Sequence, residues 1–364
     1  LGLSSGFSIL NKKFQPIYGK QRMLEGKTIS EIIKDHEGNY WIGTLNDGIY
    51  ILTSKDVLIW NTKNSPLSNN EITAITKDNK GNLYLLEREG KTWKLNAKTQ
   101  QIEYLCNFKS QGKRLFYDTF NNVLYCQYGK QGFDINNSTW RTLHQNHVIK
   151  DMSFLDKEYC AYSTFRGVDI ANRESNPFSL NHIWENKKIE FNTFDRNYAI
   201  TLRNKRSATN CFDKLENRLW FGFTDGLYHY KDGQQDEIQY NNSSILVSEL
   251  AISKGGGIWA STIGKRILKI KNAEIVEEFN IGETVLSIKE WQNYLFLGTN
   301  KGLIRYDLKT NSKEIFNTLD GHSLKFIYGC VTDGTEWLFL KLENKSLLID
   351  DKTYFTKDSS RFNK

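Results

Sequence analysis

Residues 35 to 52, DHEGNYWIGTLNDGIYIL, return in altered form along the whole chain. The fullest copy is DKLENRLWFGFTDGLYHY at 213 to 230, where Trp220, Gly222, Asp225 and Gly226 follow in the same order. KGGGIWASTIGKRILKI at 254 to 270, QNYLFLGTNKGLIRYD at 292 to 307 and DNKGNLYLLEREGKTWKL at 78 to 95 keep most of the pattern. Fainter copies are NNVLYCQYGKQGFDI (121 to 135), KEYCAYSTFRGVDI (157 to 170) and DGTEWLFLKLENKSLLID (333 to 350), and LGLSSGFSIL (1 to 10) matches only the second half. Taking Trp41 as the register mark, the copies fall at 41, 84, 125, 160, 220, 259, 296 and 337. A repeat of about forty residues built from short strands is the signature of a β-propeller. One longer step, between 160 and 220, marks an insertion at about 173 to 207.

One repeat shows why. TISEIIKD (28 to 35) alternates as an inner strand does, and Asp35 with Gly38 makes the turn into NYWIGT (39 to 44). Trp41 is placed to fill the wedge between neighbouring blades, and Gly43 admits a close neighbour. Asp47-Gly48 suits a hairpin turn with positive φ. GIYIL (48 to 52) reads as the third strand and DVLIW (56 to 60) as the outer fourth. A single blade cannot bury its own faces; a ring of them can.

Composition agrees. Aromatic residues make up 13% of the chain, and 26 Gly stand against 3 Pro, a balance that favours pleated sheets and tight turns. The net charge of +7 is spread along 364 residues, whereas phosphate tracking needs clustered cations. Arg203-Asn204-Lys205-Arg206, the densest group, reads as a solvated loop, and no nucleic-acid partner is expected. No run approaches the ~20 apolar residues of a membrane span. The five cysteines (Cys106, Cys126, Cys160, Cys211, Cys330) are scattered, odd in number and never spaced as CxxC. They read as free thiols rather than a disulfide framework or zinc site.

The pattern I-x-x-I-x-x-D-x-x-G-x-x-W-I-G-T-x-x-x-G-I at 29 to 49 resembles the two-component regulator propeller repeat. That repeat fills the periplasmic sensor regions of bacterial histidine kinases and hybrid sensors. The likeness runs over essentially the whole chain, nearly in full only at 28 to 52, well at 208 to 230, 245 to 270 and 283 to 307, and loosely elsewhere. It implies extracytoplasmic sensing, often of glycan fragments, with any kinase activity outside this chain. It also implies an adjoining propeller or sandwich domain in the same protein. Asp-box repeats separate Asp and Gly by one residue, not two as here, and quinone-dependent dehydrogenase propellers need an Ala and Thr that this chain lacks.

The expected fold is therefore all-β: a propeller of four-stranded antiparallel blades, seven or eight in number, incomplete at the N-terminal end. The expected divisions are a partial blade at 1 to 27, blades at 28 to 172, the insertion at 173 to 207 and blades at 208 to 364. The sequence, starting at Leu1, reads as a piece of a longer chain.

Chemistry is sparse. A calcium loop needs several converging oxygens; the copies of DHEG discard the acids and keep the turn. His144 and His147 have HxxH spacing but no helical pattern around them, and His36, His182, His229 and His322 are isolated. No cofactor, metal or catalytic residue is expected. In an up-and-down blade the turn between strands two and three leaves on the same end as the connection between blades. Those turns would surround one mouth of the channel, a place that suits ligands. They contribute Asn46, Asp47, Arg88, Arg166, Asp225, Lys265, Asn300 and Lys301, fit for a hydroxyl-rich or anionic ligand or simply solvated. The insertion adds Trp184, Phe194, Arg196, Tyr198 and Arg203, suited to a sugar, to an extra hairpin on the ring or to a homodimer contact. The expected role is a non-catalytic periplasmic sensor recognising an oligosaccharide or similar ligand. The alternatives are a scaffold propeller of envelope or secretion assembly and, further off, a propeller lyase or hydrolase.

Overall fold

The structure is a computed structural model. It describes residues 2–3, 6–8, 10, 24–34, 40–45, 47–52, 57–60, 62, 65–96, 99, 101–129, 131–142, 149–157, 159–165, 167–172, 200–202, 206–319, 322–323, 329–332, 337–341 and 346–350. All regular elements among them are strands. The chain divides into a smaller unit (residues 1–58, 318–322 and 352–364) and a larger one (residues 59–317 and 323–351).

The larger unit is a closed ring of seven blades. Blade 1 is Ile72–Lys77, Asn82–Glu87, Lys91–Asn96 and Ile102–Asn107; blade 2 is Leu115–Asp118, Val123–Cys126, Gln131–Asp134 and Thr139–Thr142. Blade 3 is Asp151–Phe154, Tyr159–Ser163, Val168–Asn172 and Ile200–Leu202. Blade 4 is Ser207–Asp213, Arg218–Phe223, Gly226–Lys231 and Gln234–Tyr240, with Ser243–Ser244 added outside. Blade 5 is Val247–Ile252, Ile258–Thr262, Arg266–Lys271 and Glu274–Asn280; blade 6 is Val285–Trp291, Tyr294–Thr299, Leu303–Asp307 and Lys313–Phe316. Each first strand touches the first strand of the next blade, and that of blade 7 touches that of blade 1.

Blade 7 carries a correction. Its hairpins Gly329–Thr332, Trp337–Lys341 and Ser346–Asp350 take Val57–Trp60 as fourth strand. Residues 57 to 60 therefore do not complete the repeat at 28 to 52; they close the ring. Closure by pairing an early strand with a late hairpin removes the open edge that a terminal blade would present.

The aromatic register positions are the wedges of the ring. Trp220 and Trp259 are 0% exposed. Trp220 packs with Val247, Leu250 and Ala260 of the following blade, and Trp259 with Val285, Ile288 and Leu297. Tyr84 and Tyr125 do the same toward Leu115 and Met152. A Cβ on Gly222 would lie 2.3 Å from Val247 Cγ2, so a side chain there would force two blades apart.

The smaller unit holds Gly2–Leu3 paired with Gly6–Phe7, and a sheet of Ile29–Lys34, Tyr40–Thr44 and Ile49–Leu52. Gly48 has φ +77°, as the Asp-Gly turn requires. Trp41, however, is 41% exposed rather than wedged. Such an aromatic is buried only by a following blade, and the described residues of this unit form no complete one.

The turn reading of the aspartates holds. Asp78 accepts the N–H groups of Lys80 and Asn82 and the Tyr84 hydroxyl, Asp118 those of Phe120 and Asn121, and Asp307 those of Lys309 and Thr310. Asp213 also accepts the Gly257 N–H from the adjacent blade. Cys106, Cys126, Cys160 and Cys211 are free thiols.

Candidate functional site at the connection end of the ring

The end of the ring that carries the connections between blades is built by one repeated device. In blades 1 to 5 the entry to the inner strand bonds to the end of strand two or the turn after it: Arg88 N to Glu71 O, Gln127 N to Arg114 O, Lys150 N to Ser163 O, Thr224 N to Arg206 O and Ile263 N to Leu246 O. The Thr that follows Gly in the repeat caps this turn. Thr299 Oγ1 donates to Gly302 O at 2.8 Å and accepts from Lys301 N and Gly302 N. Thr164 and Thr44 act likewise on Gly167 and Gly48.

The turn residues expected from the sequence take different roles. Arg88 pairs with Glu71 at 2.9 Å, and Lys301 with Glu283 at 2.9 Å. In the smaller unit Asp47 pairs with Lys27 at 2.9 Å. Each of these pairs ties a turn to the entry of its own blade. Solvent screens exposed pairs of this kind, so they contribute little to stability. Lys265 is exposed, with φ +62°, and Asn300 has a buried Oδ1 without a hydrogen-bond partner. Asp225 lies in the same turn of blade 4, half-buried. Asn46, Arg166, Trp184, Tyr198 and Arg203 lie outside the described residues, as do His144 and His147.

Beside the polar turn residues, the same end exposes Tyr128, Phe165 and Ile263, which alternation alone did not single out. It also holds a charge network in the channel. Arg114, at the entry to blade 2, donates to Asp151 Oδ2 of blade 3 at 2.9 Å and to Glu249 Oε2 of blade 5 at 2.8 Å. Blades 2 and 5 stand opposite in a ring of seven, so the guanidinium bridges the channel. Thr209 Oγ1 and Asn210 N of blade 4 also donate to Asp151. Asn210 continues the network to Ser163, whose hydroxyl meets that of Ser207 at 2.9 Å.

Thr209 and Glu249 each stand directly after a register shift in their inner strand. A bulge re-aims the side chains after it, so simple alternation misplaces both. Burial raises the Glu249 pKa, with Arg114 opposing and Asp151 adding to the rise. Glu249 and Asp151 in turn raise that of Arg114, which keeps its charge. The one sequence cue to these residues is position: Arg114, Lys150 and Arg206 all immediately precede an inner strand.

His229 is buried against Arg218, 3.1 Å away, and Trp220. Burial, then the Arg218 charge, pushes its pKa down to about 4. Among the described residues no cluster of three His, Cys, Asp or Glu could hold a metal ion. No helix among them is long and apolar enough to cross a membrane.

No family model matches the chain, and no curated protein does. Solved structures do. The extracellular domain of a putative hybrid two-component system from B. thetaiotaomicron matches with a TM-score of 0.73 and 17% identity, over 98% of this chain and 50% of that one. A second such domain from the same organism matches at 0.64 and 13%, over 96% of this chain and 51% of that one. A mitotic checkpoint complex chain matches at 0.59 and 11%, over 82% and 91%. The chain spans about half the length of the two bacterial domains. At these identities the likeness is one of fold: this chain shares its architecture with extracellular domains of putative hybrid two-component systems.

Proposed function

We infer that this chain is a non-catalytic, extracytoplasmic sensing region of a two-component system, whose kinase activity belongs to other parts of the whole protein. The observation that carries this reading is the likeness, over 98% of the chain, to the extracellular domain of a putative hybrid two-component system. The sequence repeat supports it independently, since its resemblance to the regulator propeller repeat rests on residues, not on shape.

The ligand is a polar small molecule of the oligosaccharide class, taken up at the connection end of the ring. That end brings several chemically different turns together, a common arrangement for binding sites. Lys265 and Asn300 are the strongest contacts among the expected turn residues, because Arg88 and Lys301 are engaged in pairs with their own blades. The signal passes on through packing against adjoining domains.

The test is calorimetric titration of this chain with a broad panel of oligosaccharides, followed by the Lys265→Ala and Asn300→Ala variants. Saturable binding to a member of the panel, weakened in these variants, is the expected result. No binding across the panel would remove the oligosaccharide reading. Binding unchanged in both variants would move the site elsewhere.

A further inference from the structure

The junction of blades 3 and 4 at the connection end carries an arrangement found nowhere else among the described residues. Lys150 immediately precedes the inner strand of blade 3, Phe165 lies in the turn of that blade, and Arg206 immediately precedes the inner strand of blade 4. Backbone bonds from Lys150 N to Ser163 O (2.8 Å), Ser207 N to Thr164 O (3.1 Å) and Thr224 N to Arg206 O (3.2 Å) fix the three segments together. The Phe165 ring is 55% exposed, yet two cations converge on it. Lys150 Nζ is 3.9 Å from its centroid and the Arg206 guanidinium carbon 5.3 Å.

Among the described residues the charges here are unbalanced. Each of the other described arginines has a carboxylate oxygen within 3.2 Å: Arg88, Arg114, Arg141, Arg218, Arg266 and Arg305. Arg206 has no acid partner among the described residues. Lys150 is only 8% exposed and donates to neutral acceptors, Ser207 O at 3.0 Å and Thr164 O at 3.4 Å. Burial, and then the Arg206 charge, pushes its pKa down to about 8. Two like charges around one ring repel, and a guanidinium held near an aromatic ring rather than by a carboxylate keeps its N–H fork available to a planar or tetrahedral oxyanion.

We propose that Lys150, Phe165 and Arg206 form a binding site for a carboxylate or sulfate group carried by a small ring-bearing ligand. The Arg206 fork takes the oxyanion and Lys150 supplies the second charge. The exposed part of the Phe165 ring packs against the ring of the ligand, and Tyr128, whose N–H donates to Ile149 O, extends the aromatic surface beside Lys150. This site stands on its own geometry and does not depend on a sensing role.

The test is titration of the chain, followed by NMR, with glucuronate, with sodium sulfate and with glucose as neutral control, at constant ionic strength. Saturable binding of glucuronate or sulfate, at least about tenfold tighter than glucose, is expected. The stronger of the two oxyanions identifies the group. Arg206→Glu, at an exposed position, should weaken binding by at least about tenfold without lowering the unfolding midpoint, because it also removes a repulsion with Lys150. Lys150→Met is the second variant, and in the wild type the bound oxyanion should raise the Lys150 pKa. Failure of both oxyanions to saturate, equal binding of glucuronate and glucose, or unchanged affinity in Arg206→Glu would each overturn the proposal. A chain that binds glucuronate here but no oligosaccharide would keep this site and lose the function inferred above.

Discussion

Replacing Arg114 by Met removes the cation that the buried Asp151 and the partly buried Glu249 share. The guanidinium lies 2.9 Å from Asp151 and 2.8 Å from Glu249. At an effective dielectric of about 20, charges this close attract by roughly 6 kcal/mol each before desolvation. Desolvation offsets most of that, and losing one partner of a buried pair typically costs about 3–5 kcal/mol. Because 34% of the Arg114 side chain is exposed, solvent screens the loss, and about 2–3 kcal/mol is the expected net destabilisation at pH 7.5.

The pH dependence carries the sharper sign. Glu249 already has a raised pKa in the folded chain, so its ionisation opposes folding above its ordinary carboxylate range. Without Arg114 that pKa rises further. Lowering the pH toward 5 protonates Glu249 in the variant and relieves the repulsion with Asp151, so the deficit should shrink. Urea unfolding of wild type and Arg114→Met at pH 7.5 and pH 5 measures both quantities. A deficit below about 0.5 kcal/mol at pH 7.5, or one that grows toward pH 5, would show that the bridge across the channel does not brace the ring.

Other predictions are simpler. Trp220→Ala should destabilise by about 3–5 kcal/mol in urea unfolding, because its side chain is fully buried between two blades. Trp41→Ala should cost less than half as much, since that residue is 41% exposed. Thr299→Val should speed amide exchange at Lys301 and Gly302 and cost about 1 kcal/mol, while Thr299→Ser retains the cap. His229 stays neutral well below the usual imidazole range, so its contribution to stability is present at neutral pH. That contribution is lost as the pH falls from about 6.5 through 4, by roughly 3 kcal/mol in total. His229→Phe should flatten that limb of the stability profile; an unchanged profile would rule out His229 as its source.

The repeat, and with it the blade, is written in the order of the residues alone. Its Asp and Gly set turns, its Thr closes a turn through bonds to residues three or four positions on, and its aromatic sits where the next blade must press. All of these are local, so a period of about forty residues displays them. What lies between distant segments was decided only in three dimensions. Val57–Trp60 reads like any outer strand, and nothing in its four residues says that its partners lie at 329 to 350. Arg114 meets Glu249 across the channel although 135 positions separate them, after a bulge that breaks the alternation. The same holds for Lys150 and Arg206: sequence shows two ordinary cations before two strands. Only the stacking of blades 3 and 4 sets both on one exposed ring, because ring closure fixes side chains from different repeats at distances that no single repeat encodes.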